Sequence, residues 1–173
     1  MVSARPPIPY DFLPQVPSFE LTSSDITDGG VLPKEFAHAG GNLSPQLAWS
    51  GAPEGTRGFA VTCYDPDAPT GSGWWHWLAL DLPAGTTGLP RGAGCSDADL
   101  PGGASFHARN DFPGHRYDGA APPPGPAHRY LFAVHALDVP ALDVTRDTPA
   151  AQIGFHLTFH TLARAVITAE YSA

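Results

Sequence analysis

The chain is short of positive charge. Lys and Arg together number nine against 17 Asp and Glu, and the formal net charge is −8 over 173 residues. No Lys/Arg run or basic stripe exists, which excludes a nucleic-acid partner held through its phosphates. The acidic balance also disfavours anionic lipid surfaces. It leaves room for an anion in one pocket, where local donors decide. Long apolar runs are missing: no segment approaches the ~18 apolar residues of a membrane-spanning helix. The first ten residues lack the apolar centre of a secretion signal, so the expected location is cytoplasmic. Cysteine is scarce. Cys63 and Cys95 do not make a disulfide framework. Cys63 reads as a small core residue and Cys95 as incidental in a Gly/Asp-rich loop. There is no Gly-x-Ser-x-Gly elbow, no phosphate-cradling loop and no Cys-x-x-Cys pair.

Glycine and proline are abundant, with 19 and 20 residues. That excess predicts short strands and many turns rather than long helices. The length suits one domain, 1–173, with no linker and no internal repeat. Residues 1–17 contain five prolines and read as an extended surface arm. Strands are expected over Phe19–Thr22, Gln46–Trp49, 58–64, Trp77–Leu82, His128–Leu137 and Ala165–Tyr171. Residues 83–127 read as mostly loop, a stretch long enough to suggest a functional surface. One helix is expected late, with Thr148 as N-cap and Pro149 at its first position, running to about Arg164. The fold class is mainly β: an antiparallel sandwich of two sheets with one late α-helix.

The most informative stretch runs from Tyr64 to Trp77. A buried strand ends in two carboxylates, Asp65 and Asp67, locked between prolines. After a Gly-rich turn, His76 follows within a Trp cluster. Rigid strand ends crowded with acid, imidazole and indole predict a preformed pocket with a few convergent polar groups. On strand 128–137, alternation puts His128, Tyr130, Phe132 and Val134 on one face, and Arg129, Leu131, Ala133 and His135 on the other. Each of these has a plainer reading: a structural imidazole among tryptophans, a surface histidine, a core tyrosine. Asp-Pro and Asp-Ala-Pro commonly cap turns; Asp67 reads as the turn-maker and Asp65 as the pocket group. His156 and His160 stand four apart on the expected helix, but Leu157 replaces the Glu a zinc-protease motif needs, so a structural or solvent-facing pair is expected and no metal. His107 and His115 carry no assignment.

Four stretches in register resemble the phosphatidylethanolamine-binding protein family, in its bacterial Raf-kinase-inhibitor-like branch. They are Ser44-Pro45-Gln46-Leu47-Ala48-Trp49, Asp65-Pro66-Asp67-Ala68-Pro69, Trp74-Trp75-His76-Trp77 and Gly125-Pro126-Ala127-His128-Arg129-Tyr130. The resemblance covers about Phe19 to Tyr171. It implies a two-sheet sandwich with a small anion pocket at one end, lined by Asp65, Ala68, Trp74, His76, Pro123, His128 and Tyr130. It implies ligands bearing phosphate or carboxylate, phospholipid headgroups included.

Two departures stand out. The family's bacterial Tyr-Gly-Gly-Pro-Cys-Pro-Pro stretch is here Tyr117-Asp118-Gly119-Ala120-Ala121-Pro122-Pro123, so Asp118 is expected to add negative charge at the pocket rim. The chain also ends at Ala173, without room for the C-terminal helix that covers the pocket in animal members, so an open mouth is expected. The expected function is binding of a small anionic or zwitterionic molecule, without a cofactor, with Asp65 orienting one imidazole and favouring its protonated form. One alternative is a cofactor-independent acid–base enzyme, an isomerase, lyase or cyclase, using Asp65, His76, His128 and Tyr130. The other is a kinase or protease inhibitor that presents loop 101–127 to a protein target. A homodimer is left open.

Overall fold

The computed structural model describes residues 5–173, so the first four residues of the expected arm lie outside the described residues. It contains β1 (Glu20–Thr22), β2 (Leu47–Ser50), β3 (Gly58–Asp65), β4 (Trp74–Pro83), β5 (Gly88–Leu89), β6 (Phe106–His107), β7 (His128–Leu137), α1 (Ala150–His160) and β8 (Thr161–Tyr171). Two antiparallel sheets form, in the orders β1-β2-β5 and β6-β4-β3-β7-β8. Mainly β with one late helix is therefore the observed class.

Strands β3 and β7 lie inside the larger sheet, and both their faces are covered. Phe59, Val61, Cys63, Phe132 and Val134 face the smaller sheet and pack with Leu47, Trp49 and Leu89. Ala60, Leu78, Leu80 and Leu137 face outward and pack beneath α1, against Ile153 and Leu157. Covering both faces explains why these strands read as continuous apolar runs rather than alternating ones. Each large side chain so buried contributes about 1.5–3 kcal/mol.

The arm is not extended throughout. Pro9–Asp11 make a single 3-10 turn, and Tyr10 lies edge-on to His135 on the outer face of β7. The helix starts after Pro149, and no side chain caps it. The Thr148 hydroxyl instead accepts the N–H of Thr145 at 2.8 Å. The helix also ends earlier than expected, at His160, and β8 begins at the next residue.

Candidate functional site

The end of the larger sheet is where chemistry gathers. Asp65 closes β3 opposite Trp74, the first residue of β4, and His128 opens β7. Antiparallel pairing brings these three strand ends together although they are far apart in sequence. A register shift sits at Cys63/Tyr64: Cys63 pairs with Trp77 and Tyr64 with Trp75, so His76 is the additional residue of a β-bulge. Strict alternation would aim Trp75 and Trp77 the same way. The bulge instead leaves Trp75 outside against Tyr64 and turns both His76 and Trp77 inward, His76 against Tyr130. Bulges beside sites commonly re-aim a side chain in this way.

Asp65 is buried and uses both oxygens. Oδ1 accepts the N–H groups of Asp67 (2.8 Å) and Ala68 (3.1 Å), making the turn. Oδ2 accepts from Nδ1 of His128 at 2.8 Å. Burial raises the Asp65 pKa, and the His128 contact works against that rise. The expected division of labour between the two aspartates is corrected here: Asp65 makes the turn and also carries the imidazole. The Asp67 side chain takes no part in the turn. It accepts three bonds from Arg129: backbone N–H (2.8 Å), Nε (2.9 Å) and Nη2 (2.7 Å). Burial alone would raise the Asp67 pKa, but the Arg129 guanidinium outweighs it and the pKa falls. The pair clamps the start of β7 and so fixes where His128 stands.

His76 is held from its other side. Its Nδ1 lies 2.7 Å from the carbonyl oxygen of Asp118. A carbonyl only accepts, so the ring proton is on Nδ1 and the neutral ring keeps a lone pair on Nε2. Burial lowers the His76 pKa to about 4, against the raising effect of the Asp118 and Gly119 carbonyls. The side chain of Asp118 is not a rim charge, contrary to expectation. It is buried, accepting from Asn42 (3.1 Å) and Asn110 (2.8 Å). Its role near the site is played by its backbone.

A cavity of about 210 Å³ opens between these groups. Asp65, Ala68, Trp74, His76, Pro123 and His128 line it, six of the seven residues singled out from the sequence. Tyr130 does not. Its ring stands behind His76, centroids 5.2 Å apart, and its buried hydroxyl has no hydrogen-bond partner. Burial and the adjacent Asp65 carboxylate push the Tyr130 phenol pKa far up, so it stays protonated. Pro69, Thr70, Phe112, Ala121 and Pro122 complete the wall. Phe112 carried no signal in its own segment; it is placed by the Asn110 side chain, which accepts the N–H of Phe112 at 2.9 Å.

His38 stacks on Phe112 of the wall, ring centroids 4.9 Å apart, and the remaining histidines do not line the cavity. His107 is fully buried, donating Nδ1–H to Asp97 at 3.0 Å. His115 meets Asp147 and His160 meets Asp138. His156 lies edge-on to its neighbour Phe155. Among the described residues no cluster of three His, Cys, Asp or Glu is placed to hold a metal ion, and no helix is long and apolar enough to cross a membrane.

Comparison with known proteins adds the following. The family model described as phosphatidylethanolamine-binding protein matches residues 22–172. The chain is 50% identical over 158 residues to UPF0098 protein YbhB of Escherichia coli (strain K12), covering 88% of this chain and 99% of that protein. It is 46% identical over 167 residues to YbcL of the same organism, covering 92% and 91%. The crystal structure of E. coli YbcL, described as a member of the mammalian PEBP family, superposes with a TM-score of 0.86 at 42% identity, covering 90% of this chain and 99% of that one. A PEBP homologue from Chlamydia trachomatis superposes with a TM-score of 0.75 at 25% identity, covering 90% and 98%.

Proposed function

The chain belongs to the phosphatidylethanolamine-binding protein family, and from that premise we propose that the cavity at Asp65, His76 and His128 binds a small organic anion bearing phosphate or carboxylate. The observation that carries the reading is the His128 imidazole, tied through Nδ1 to a buried carboxylate at 2.8 Å on the cavity wall. That bond places one ring proton on Nδ1 and leaves Nε2 for a ligand. When His128 is protonated, Nε2–H donates to an anion and brings charge.

His76 adds selectivity. Being neutral with its proton on Nδ1, it offers an acceptor, not a donor. The matching ligand therefore carries a proton to give: a phosphate monoester as its monoanion, or a zwitterion with an ammonium group, such as an ethanolamine phosphate. A sulfate ester supplies the same charge without that proton and should bind more weakly.

Calorimetry with O-phosphoethanolamine, inorganic phosphate and acetate tests the reading. Acetate itself does not titrate between about pH 6 and about pH 8, where an ordinary imidazole exchanges its proton, so a change in its affinity over that interval reports on the protein and not on the ligand. All three should weaken across that interval, and His128→Gln should abolish the dependence for acetate. No binding at millimolar ligand, or pH-independent affinity, overturns the proposal. Native mass spectrometry of the purified protein would identify any retained ligand.

The hydrogen-bonded Asp65–His128 dyad also favours a second reading, a cofactor-free general base acting on a small substrate. A hydroxyl or thiol nucleophile is not part of it: the cavity wall offers neither Ser nor Cys, and the Thr70 hydroxyl is committed to the Gly73 carbonyl at 2.6 Å. Deuterium exchange from solvent into a retained small molecule, lost in His128→Gln, would separate catalysis from binding.

A further inference from the structure

A larger cavity lies elsewhere. It measures about 490 Å³ and lies on the outer face of the larger sheet, between the arm at Pro9–Leu13 and helix α1. That volume is within the ~300–1,000 Å³ of small-molecule sites, whereas the family pocket falls below it. Its wall is largely apolar: Leu13, Trp75, Leu157, and Phe155 and Phe159 of the helix. These last two are 62% and 68% exposed, so the cavity mouth presents aromatic surface to solvent.

One charged side chain belongs to this wall, Arg164 of β8. One side of its guanidinium lies over the Tyr10 ring, 4.2 Å from the centroid. Among the described residues it meets no carboxylate and its side chain makes no hydrogen bond, and Nε is fully buried. Its cross-strand neighbour on β7 is His135, which burial holds neutral by lowering its pKa to about 3. His135 is satisfied by Thr62 at 3.1 Å and does not accept from the arginine. Arg129, by contrast, is answered by the Asp67 carboxylate at 2.7 Å, which shows how a guanidinium in such a place is ordinarily paired. A half-buried guanidinium with empty donors is costly unless something supplies an anion.

We infer that this cavity is a second binding site, for an amphiphilic carboxylate: a monocarboxylate on an aliphatic or aryl-alkyl body. The carboxylate accepts from the free edge of Arg164. The apolar body lies along Trp75 and Leu157 toward Phe155 and Phe159. The Tyr10 ring holds the guanidinium in place, so little ordering is left to bear on binding. The inference is independent of the function proposed for the Asp65–His128 cavity, since the two share no lining residue.

Octanoate and octanol are the probes, followed by amide chemical shifts in the full chain. Octanoate should bind saturably and shift residues 151–159 and 163–165, leaving Ala68, His76 and His128 unmoved. Octanol, lacking the charge, should bind at least about tenfold more weakly, as expected for loss of a charge-assisted bond. Arg164→Gln should lose the preference for octanoate. Phe155→Ala, which removes an exposed side chain and spares the fold, should weaken both probes alike. Equal affinity for the two probes in the unaltered protein overturns the assignment, as do octanoate shifts confined to the His128 cavity. Self-association abolished by Phe159→Ala, with no response to octanoate, would assign the face to a second copy of the chain and equally overturn it.

Discussion

Asp65 accepts three hydrogen bonds through two oxygens, and the two jobs separate by substitution. Asp65→Asn keeps an oxygen for the turn but presents an amide N–H to His128, which forces the imidazole proton onto Nε2. Asp65→Ala leaves two backbone N–H groups without their acceptor. Urea denaturation should place the alanine variant about 2 kcal/mol below the asparagine variant, the penalty of orphaned buried donors. The asparagine variant should still fold, and its affinity for acetate should lose its dependence on pH. Asp67→Ala strands the nearly buried Arg129 guanidinium and should cost about 3 kcal/mol. Much of this site was legible: residue type gave acid, imidazole and indole at strand ends, and the family resemblance implied seven residues, six of which line the cavity. The assignment of roles within it was not. Asp65 and Asp67 are both flanked by proline, and only the position of Arg129, 62 residues away, decides which one turns the chain and which one forms the ion pair. Asp118 was misread for the same reason, since its partners Asn42 and Asn110 come from other loops.

Elements were legible where both faces of a strand are buried, because continuous apolar runs leave little alternative. Two features escaped that signal. Helix α1 passes directly into β8, and alternation in Thr161–Ala165 overlaps the helical spacing of Ile153 and Leu157, so the boundary was drawn about four residues late. Strands β5 and β6 are two residues each, too short to carry a period. The loop before β7 is positioned instead by close backbone approach. Ala37 and Ala120 form a parallel bridge, and His38 N–H donates to the Ala120 carbonyl at 2.9 Å. A Cβ on Gly119 would sit 2.2 Å from the Phe36 carbonyl oxygen and 2.8 Å from the Ala37 carbonyl carbon, both backbone atoms that cannot swing aside. Gly119→Ala should therefore displace the loop and, with it, the Asp118 carbonyl that fixes His76. The expected loss is about 1–3 kcal/mol of stability, as for other overpacked sites. The His76 ring resonances should move in the same variant, which a loss of stability alone would not produce.

Across the whole molecule, acid is its weak side, and buried histidine is the reason. Burial lowers the His76 pKa to about 4 and that of His135 to about 3, and lowers that of His107 as well. Each returns to about 6.5 when the chain unfolds. Below that pH the unfolded chain takes up protons that the folded chain refuses, so stability is complete above it and is lost as pH falls toward the folded values. Each histidine contributes a slope of up to about 1.4 kcal/mol per pH unit in this window, and three together up to about 4. The depressed pKa values of Asp67 and Asp97 extend the loss to lower pH, since their pairs with Arg129 and Arg146 break only as the carboxylates protonate. Asp65 and Asp81, raised by burial, act in the opposite sense and blunt the decline at its acid end. Urea midpoints measured from about pH 7.5 down to about pH 5 should therefore drop steeply once the histidine range is entered. His135→Gln should remove one proton from the slope while leaving the anion cavity intact, because His135 lies on the opposite face of the sheet from it. A flat profile over that range would mean that the buried rings admit protons in the folded state, and the neutral, accepting His76 on which the ligand selectivity rests would go with it.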